Sequence, residues 1–114
     1  MSKAVRLSLV IATWCPHCVP LSTDYAPVLA KQLGVPMRVL DVDVPTEEAE
    51  ADRIVRSHGA WDEDYVVPQL FLEWSDGTVD AILVALRGSP TSVTREMWTK
   101  LLANSDRLLG QAIP

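Results

Sequence analysis

The sequence predicts an α/β fold in three layers, α/β/α, with helices on both sides of a central mixed four-stranded sheet. Three observations carry this expectation. An apolar run near the start gives way to a segment with three- and four-residue hydrophobic spacing and then to a second apolar run, the order of a parallel strand–helix–strand unit. Asp76-Gly77 separates two further apolar segments, a strong hairpin signal. An amphipathic segment follows the hairpin, completing the order βαβ-α-ββα. At 114 residues the chain is expected to be a single domain over 1–114, long enough to bury a core without staples.

Ala4 to Ala12 reads as the first strand. Val5, Leu7, Leu9 and Ile11 alternate, and Val10 and Ala12 are apolar too, so both faces are expected to be covered. From Pro16 to Leu33 the period becomes helical through Cys18, Leu21, Tyr25, Val28, Leu29 and Leu33, with Gly34 as the stop. Pro20 and Pro27 interrupt this helix; Pro27 is expected to kink it and Pro20 to loosen its first turn. "PMRVLDVD", Pro36 to Asp43, reads as the second strand.

A helix is expected from about Pro45 to His58. Its acids Glu47, Glu48 and Glu50 precede its bases Arg53 and Arg56, which complements the helix dipole, and Gly59 ends it. Ala51, Ile54, Val55 and His58 are placed on its inner face. Val66 to Trp74 and Thr78 to Leu86 are the hairpin strands. Ser89 then reads as an N-cap with Pro90 at the first helical position, before a stripe of Val93, Met97, Trp98, Leu101 and Leu102.

Composition narrows the function classes. Hydrophobic content of 48% and charged content of 22% are ordinary for a globular domain. A net charge of −5 repels phosphate backbones, so no nucleic-acid partner is expected. No run reaches the roughly 18 apolar residues that span a bilayer, so no membrane partner is expected. The opening "MSKAVRLSLVIATW" has a short apolar part with Arg6 inside it and no small-residue cleavage site, which fits a buried strand better than a secretion signal. The expected compartment is cytoplasmic, where a lone structural disulfide is unusual.

Both cysteines of the chain lie in "TWCPHC", spaced C-x-x-C directly after the first strand. In such a compartment this pattern points to redox chemistry or a metal. A thiol reacts as its thiolate, which the N-terminus of a helix favours. Cys15 is expected at that point and Cys18 one turn inside, close enough to resolve a mixed disulfide formed at Cys15. His17, between them, is able to carry positive charge and to favour the Cys15 thiolate further. Active groups in open α/β sheets gather beyond the carboxyl ends of the strands, where Cys15 falls.

These residues resemble the thioredoxin superfamily. "WCPHC" is similar to its W-C-x-x-C site, and the Pro-His pair is similar to that of the DsbA-type disulfide oxidants. "VVPQLFL" resembles the segment in which the superfamily carries a cis-proline packed against the disulfide, a place that Pro68 takes. The resemblance covers most of the chain. It implies a thioredoxin fold and a thiol–disulfide oxidoreductase whose catalytic pair is Cys15 and Cys18. Trp14, Pro16 and His17 would modulate the site, while Val67 and Pro68 would meet the substrate through backbone groups. It implies no cofactor and no metal, because the sulfurs carry the electron pair. The partners it implies are protein disulfides or thiols, with a reductase to recharge the pair; a monomer is expected.

The chain also departs from the family pattern. Leu9 stands where thioredoxins proper bury an aspartate, and Val39 stands where they have a lysine. "VPQLFL" is similar to a glutaredoxin segment too, but "LRGSPTSV" lacks the glycine pair and aspartate that hold glutathione there.

Other readings stand beside this one. The fold is also compatible with a redox-sensing binding module without turnover, or with a glutathione-dependent or metal- or iron–sulfur-binding relative of the glutaredoxins. The thiols are compatible with plain core packing, or with zinc binding together with His17. Trp14 is read as a shield for the disulfide and an apolar contact surface. His58 is read as a helix-end residue, Trp74 and Trp98 as core, and the 59–67 loop as a solvated segment with one aromatic anchored in the core or a partner-selecting one.

Overall fold

The computed structural model describes residues 3–110, so the two ends of the expected 1–114 domain lie outside it. Strand β1, Ala4–Ile11, is the spine. It pairs in parallel with β2 (Met37–Asp41) and antiparallel with β3 (Gln69–Trp74), which pairs antiparallel with β4 (Val79–Val84). The sheet order is β2-β1-β3-β4, the mixed four-stranded sheet that the sequence predicts. A right-handed crossover rule and a tight "SDG" turn are enough to select this arrangement from the element order.

The two faces of the sheet are covered by different helices. Leu7, Leu9, Ile11, Leu70 and Leu72 share one cluster with Ala26, Leu29 and Leu33 of α1 (Thr23–Leu33) and with Trp98 of α3 (Thr91–Ala103). Val10, Leu40 and Phe71 share the other with Ala51, Ile54 and Val55 of α2 (Pro45–His58). Alternate residues of β1 and β3 thus point to opposite layers. Each of these large side chains, fully buried, contributes about 1.5–3 kcal/mol relative to exposure.

The α2 side of β1 is apolar only at its carboxyl end. Farther back, Ser8 is fully buried and sits in a polar network. Its hydroxyl donates to Glu73 Oε2 at 2.6 Å and accepts from Arg38 Nε at 2.7 Å. Arg6 grips both Glu73 oxygens at 2.7 Å, a bidentate pair across the β1–β3 ladder. Arg38 also reaches Glu50 of α2 at 3.3 Å. The Arg6 hydrogen bond, reinforced by Ser8, holds the Glu73 carboxyl below its ordinary range against the opposing effect of burial.

Three sequence expectations need correction. The helix expected over 16–33 is broken: a six-residue π-type turn, His17–Ser22, precedes α1, and Val19 inside that turn is extended at φ −125°, ψ 121°. Proline lacks an amide hydrogen and disfavours the helical conformation in the residue before it, so the break falls at Val19–Pro20, a cis peptide bond. Pro27 lies inside α1. Val28 and His58, both placed on inner faces, are exposed. Pro90 is itself the N-cap of α3, one residue later than expected. A short α4, Ser105–Gly110, follows α3 and had no strong signal; its Leu108 packs on the α1 side of the core.

Gly59, after α2, is pinned by sterics. A Cβ there would lie 2.4 Å from Gln69 Oε1 and 2.7 Å from Phe71 Cζ. Gln69 is fully buried and its amide holds Ala60 at both N–H and carbonyl, so it has little room to yield. Gly59→Ala is therefore expected to destabilise the fold by about 1–3 kcal/mol in urea unfolding, the usual cost of overpacking. A second expectation concerns acid. Because the folded pKa of Glu73 is lowered, its contribution is present above the ordinary glutamate value and is lost as pH falls through the folded value. Unfolding midpoints measured across the acid range should fall less steeply in Glu73→Gln than in the wild type.

Candidate active site

The cysteine turn hangs from the end of β1. Cys15 N–H donates to Ala12 O at 3.1 Å, and Cys15 O then accepts from Cys18 N at 3.0 Å and Val19 N at 2.9 Å. One closed turn results. Both cysteines are free thiols and form a near pair at 3.6 Å. Both are buried, Cys15 7% exposed and Cys18 0%, and of the two Cys15 lines the neighbouring groove.

Downstream, the chain passes the same sulfur. The Cys15 thiol donates to Val67 O at 3.9 Å, at the long limit for sulfur. Val67–Pro68 is a cis peptide bond, Pro68 is fully buried, and Pro68 O accepts from Ala85 N at 3.1 Å. The structure thus brings Cys15, Cys18, Val67 and Pro68 together, though they lie far apart in sequence. Trp14 and Pro16 flank the turn on the exposed side. Trp14 is 71% exposed, so it presents an apolar surface next to Cys15 instead of covering the pair.

One expectation about the turn is revised. Cys15 does not begin a long helix, since α1 starts only at Thr23, and the amides of Cys18 and Val19 are taken by the Cys15 carbonyl. The ring of His17 is held by Thr94 of α3, with Nδ1 and Oγ1 2.6 Å apart. His17 still lines the groove beside Cys15, but one of its nitrogens is committed to α3.

Helix α3 grips the turn a second time. Trp98 Nε1 donates to Ser22 Oγ at 2.9 Å, and Ser22 Oγ donates to His17 O at 2.7 Å. That serine ties the end of the π-type turn back to its start. Tyr25 stacks on Trp98 with centroids 6.1 Å apart. Sequence reasoning read Trp98 as core and missed Ser22 and Thr94, since a serine in a helix and a threonine on an outer helix carry no local signal.

Cys18 sits among apolar side chains, with fully buried Leu9 in the same cluster. Burial pushes its thiol well above the ordinary range, opposed by a backbone hydrogen bond from Ala12 and reinforced by the nearby Cys15 and Asp41.

The 59–67 loop leans on α2 and packs one aromatic, the partly buried Tyr65, against the α2-side core, as the first of its two readings expects. Arg56 lies 4.3 Å over the Trp61 ring, Trp61 tilts against Tyr65 at 5.6 Å, and Tyr65 OH donates to Asp52 at 2.8 Å. Between this loop, α2 and the cysteine turn lies a groove of about 560 Å³ that Cys15 lines. Among the described residues no three or more His, Cys, Asp and Glu side chains converge as a metal site requires, and no helix is long and apolar enough to cross a membrane.

A raised thiol pKa links stability to alkali. Below the ordinary thiol value both folded and unfolded chains keep the Cys18 proton; above it only the unfolded chain loses it. Stability should fall as pH rises beyond about 8.5, and Cys18→Ala should flatten that slope in unfolding curves. Alkylation followed by mass spectrometry should label Cys15 first at every pH, since Cys15 lines the open groove whereas Cys18 is fully buried with its thiol pushed up by burial. No family model, curated protein or solved structure matches this chain.

Proposed function

We propose that the protein is a thiol–disulfide oxidoreductase with a thioredoxin-like fold, working in the cytoplasm on protein or small-molecule disulfides and thiols. The observation that carries the reading is the near pair of free thiols at 3.6 Å, with the accessible one touching the carbonyl of Val67 just before Pro68. Incidental core thiols have no reason to meet there. The strand order β2-β1-β3-β4, with α1 and α3 on one face and α2 on the other, supports the thioredoxin-like assignment.

In the reducing direction the Cys15 thiolate attacks a sulfur of the partner disulfide. A bond forms between Cys15 and the partner, the partner's S–S bond breaks, and the departing sulfur leaves as a thiolate. Cys18 then gives up its proton and attacks Cys15 in the mixed disulfide. The Cys15–Cys18 bond forms, and the partner's second sulfur is released. Two electrons and two protons pass to the partner, which becomes a dithiol. The departing thiolate is a suitable acceptor for the Cys18 proton, which burial otherwise retains. The reverse sequence oxidises a dithiol, and a reductase or small thiol restores the reduced pair.

The groove that Cys15, Val67 and the exposed Trp14 line together is suited to an extended partner chain, with Trp14 as an apolar rest. Turnover of a disulfide-linked peptide with dithiothreitol as donor tests the proposal. Cys15→Ser should lose at least about a thousandfold in rate, a nucleophile's usual share. Cys18→Ser should accumulate a mixed disulfide visible on a non-reducing gel. Unchanged turnover in Cys15→Ser would overturn the assignment.

A further inference from the structure

Resting on the exchange reading, we propose that the groove beside Cys15 selects cationic polypeptide segments, with Lys or Arg flanking the reacting cysteine. The groove is lined by five carboxylates, Asp43, Glu48, Asp52, Glu63 and Asp64, against a single guanidinium, Arg87. They come from separate parts of the chain: Asp43 leads into α2, Glu48 and Asp52 lie on it, and Glu63 and Asp64 belong to the 59–67 loop that folds back beside it.

These carboxylates are not committed to ion pairs. Glu50 and Glu73, on the sheet network, are paired with Arg38 and with Arg53 or Arg6. Among the described residues, none of the five groove carboxylates has an ion-pair partner. Arg87 does not neutralise them: its guanidinium donates to the backbone carbonyl of Asp64. Asp52 accepts only the Tyr65 hydroxyl. Nor do they converge in a way that would hold a metal ion. They spread along the walls of a cleft, an arrangement that focuses a negative potential onto whatever lies in it.

The other part of the lining is apolar. Trp14 and Leu86, 71% and 58% exposed, stand beside Val42, Val66 and Val67. An extended segment whose cysteine meets Cys15 would set an apolar side chain against Trp14 and Leu86. Its basic side chains would then fall among Glu48, Glu63 and their neighbours. The same field opposes an anionic thiol such as glutathione. Several exposed charge pairs acting together amount to about tenfold in rate constant, and that gain is screened by salt.

The test uses the full chain and three disulfide-linked peptides that differ only in flanking Lys, Gln or Glu. With kcat/KM as the readout, the Lys peptide should exceed the Glu peptide by about tenfold at low ionic strength. The ratio should approach one by about 0.5 M salt, where the screening length is a few ångströms. In Glu48→Gln/Glu63→Gln the low-salt ratio should shrink several-fold. Equal rates for the three peptides, a preference that ignores salt, or a ratio unchanged in the double variant would overturn the inference while leaving the exchange reading intact. Absence of turnover with all three peptides would instead remove the exchange reading, and this inference with it.

Discussion

A side-chain relay from α3 is the contact on which the cysteine turn depends. Pro20 breaks the helix that the local pattern would otherwise run from Pro16 onward, and the extended Val19 lies inside the π-type turn that results. Ser22 ties that turn together by donating its hydroxyl to the carbonyl of His17, and Trp98 of α3 fixes the serine from the far side. Ser22 and Trp98 are both fully buried, so losing either leaves a buried polar group unpaired, at about 1–3 kcal/mol. The turn is thus held by a helix from the other end of the chain, with Thr94 on the same helix taking His17 as well.

Two kinds of sequence signal behaved differently. The sheet was legible because alternation along β1 and β3 and the Asp76-Gly77 turn are local statements of a two-sided environment. The meeting of the cysteine pair with a cis-bonded Pro68 was legible too, from a C-x-x-C after one strand and a proline just ahead of another. What failed was the physics of context. The helical period of Cys18, Leu21 and Tyr25 is real, and those side chains do face the core, but periodicity is blind to the peptide bond that divides them. His58 fits the α2 stripe by spacing yet is exposed, as the last residue of the helix. Thr94 and Ser22 became visible only when tertiary contacts were known.

The two thiols also show how one motif makes two different groups. Cys15 lies at the rim with a groove beyond it; Cys18 lies one turn inward, beneath it, among Leu9, Leu21 and their neighbours. Position alone separates an outward sulfur from an inward one. No charged residue beside Cys18 is needed to keep it protonated, since desolvation suffices.

The half-greasy, half-ionic face under α2 has one further consequence. Ile54 and Val55 key into Phe71 and Val10, while Glu50, one turn earlier, meets Arg38. A helix sliding by a turn would trade both sets of partners at once, so α2 has a single seat on the sheet, like a notched ruler against its stop. The spacing between the outward sulfur and the acidic wall is therefore gauged by a face of the molecule that no ligand in the groove can touch.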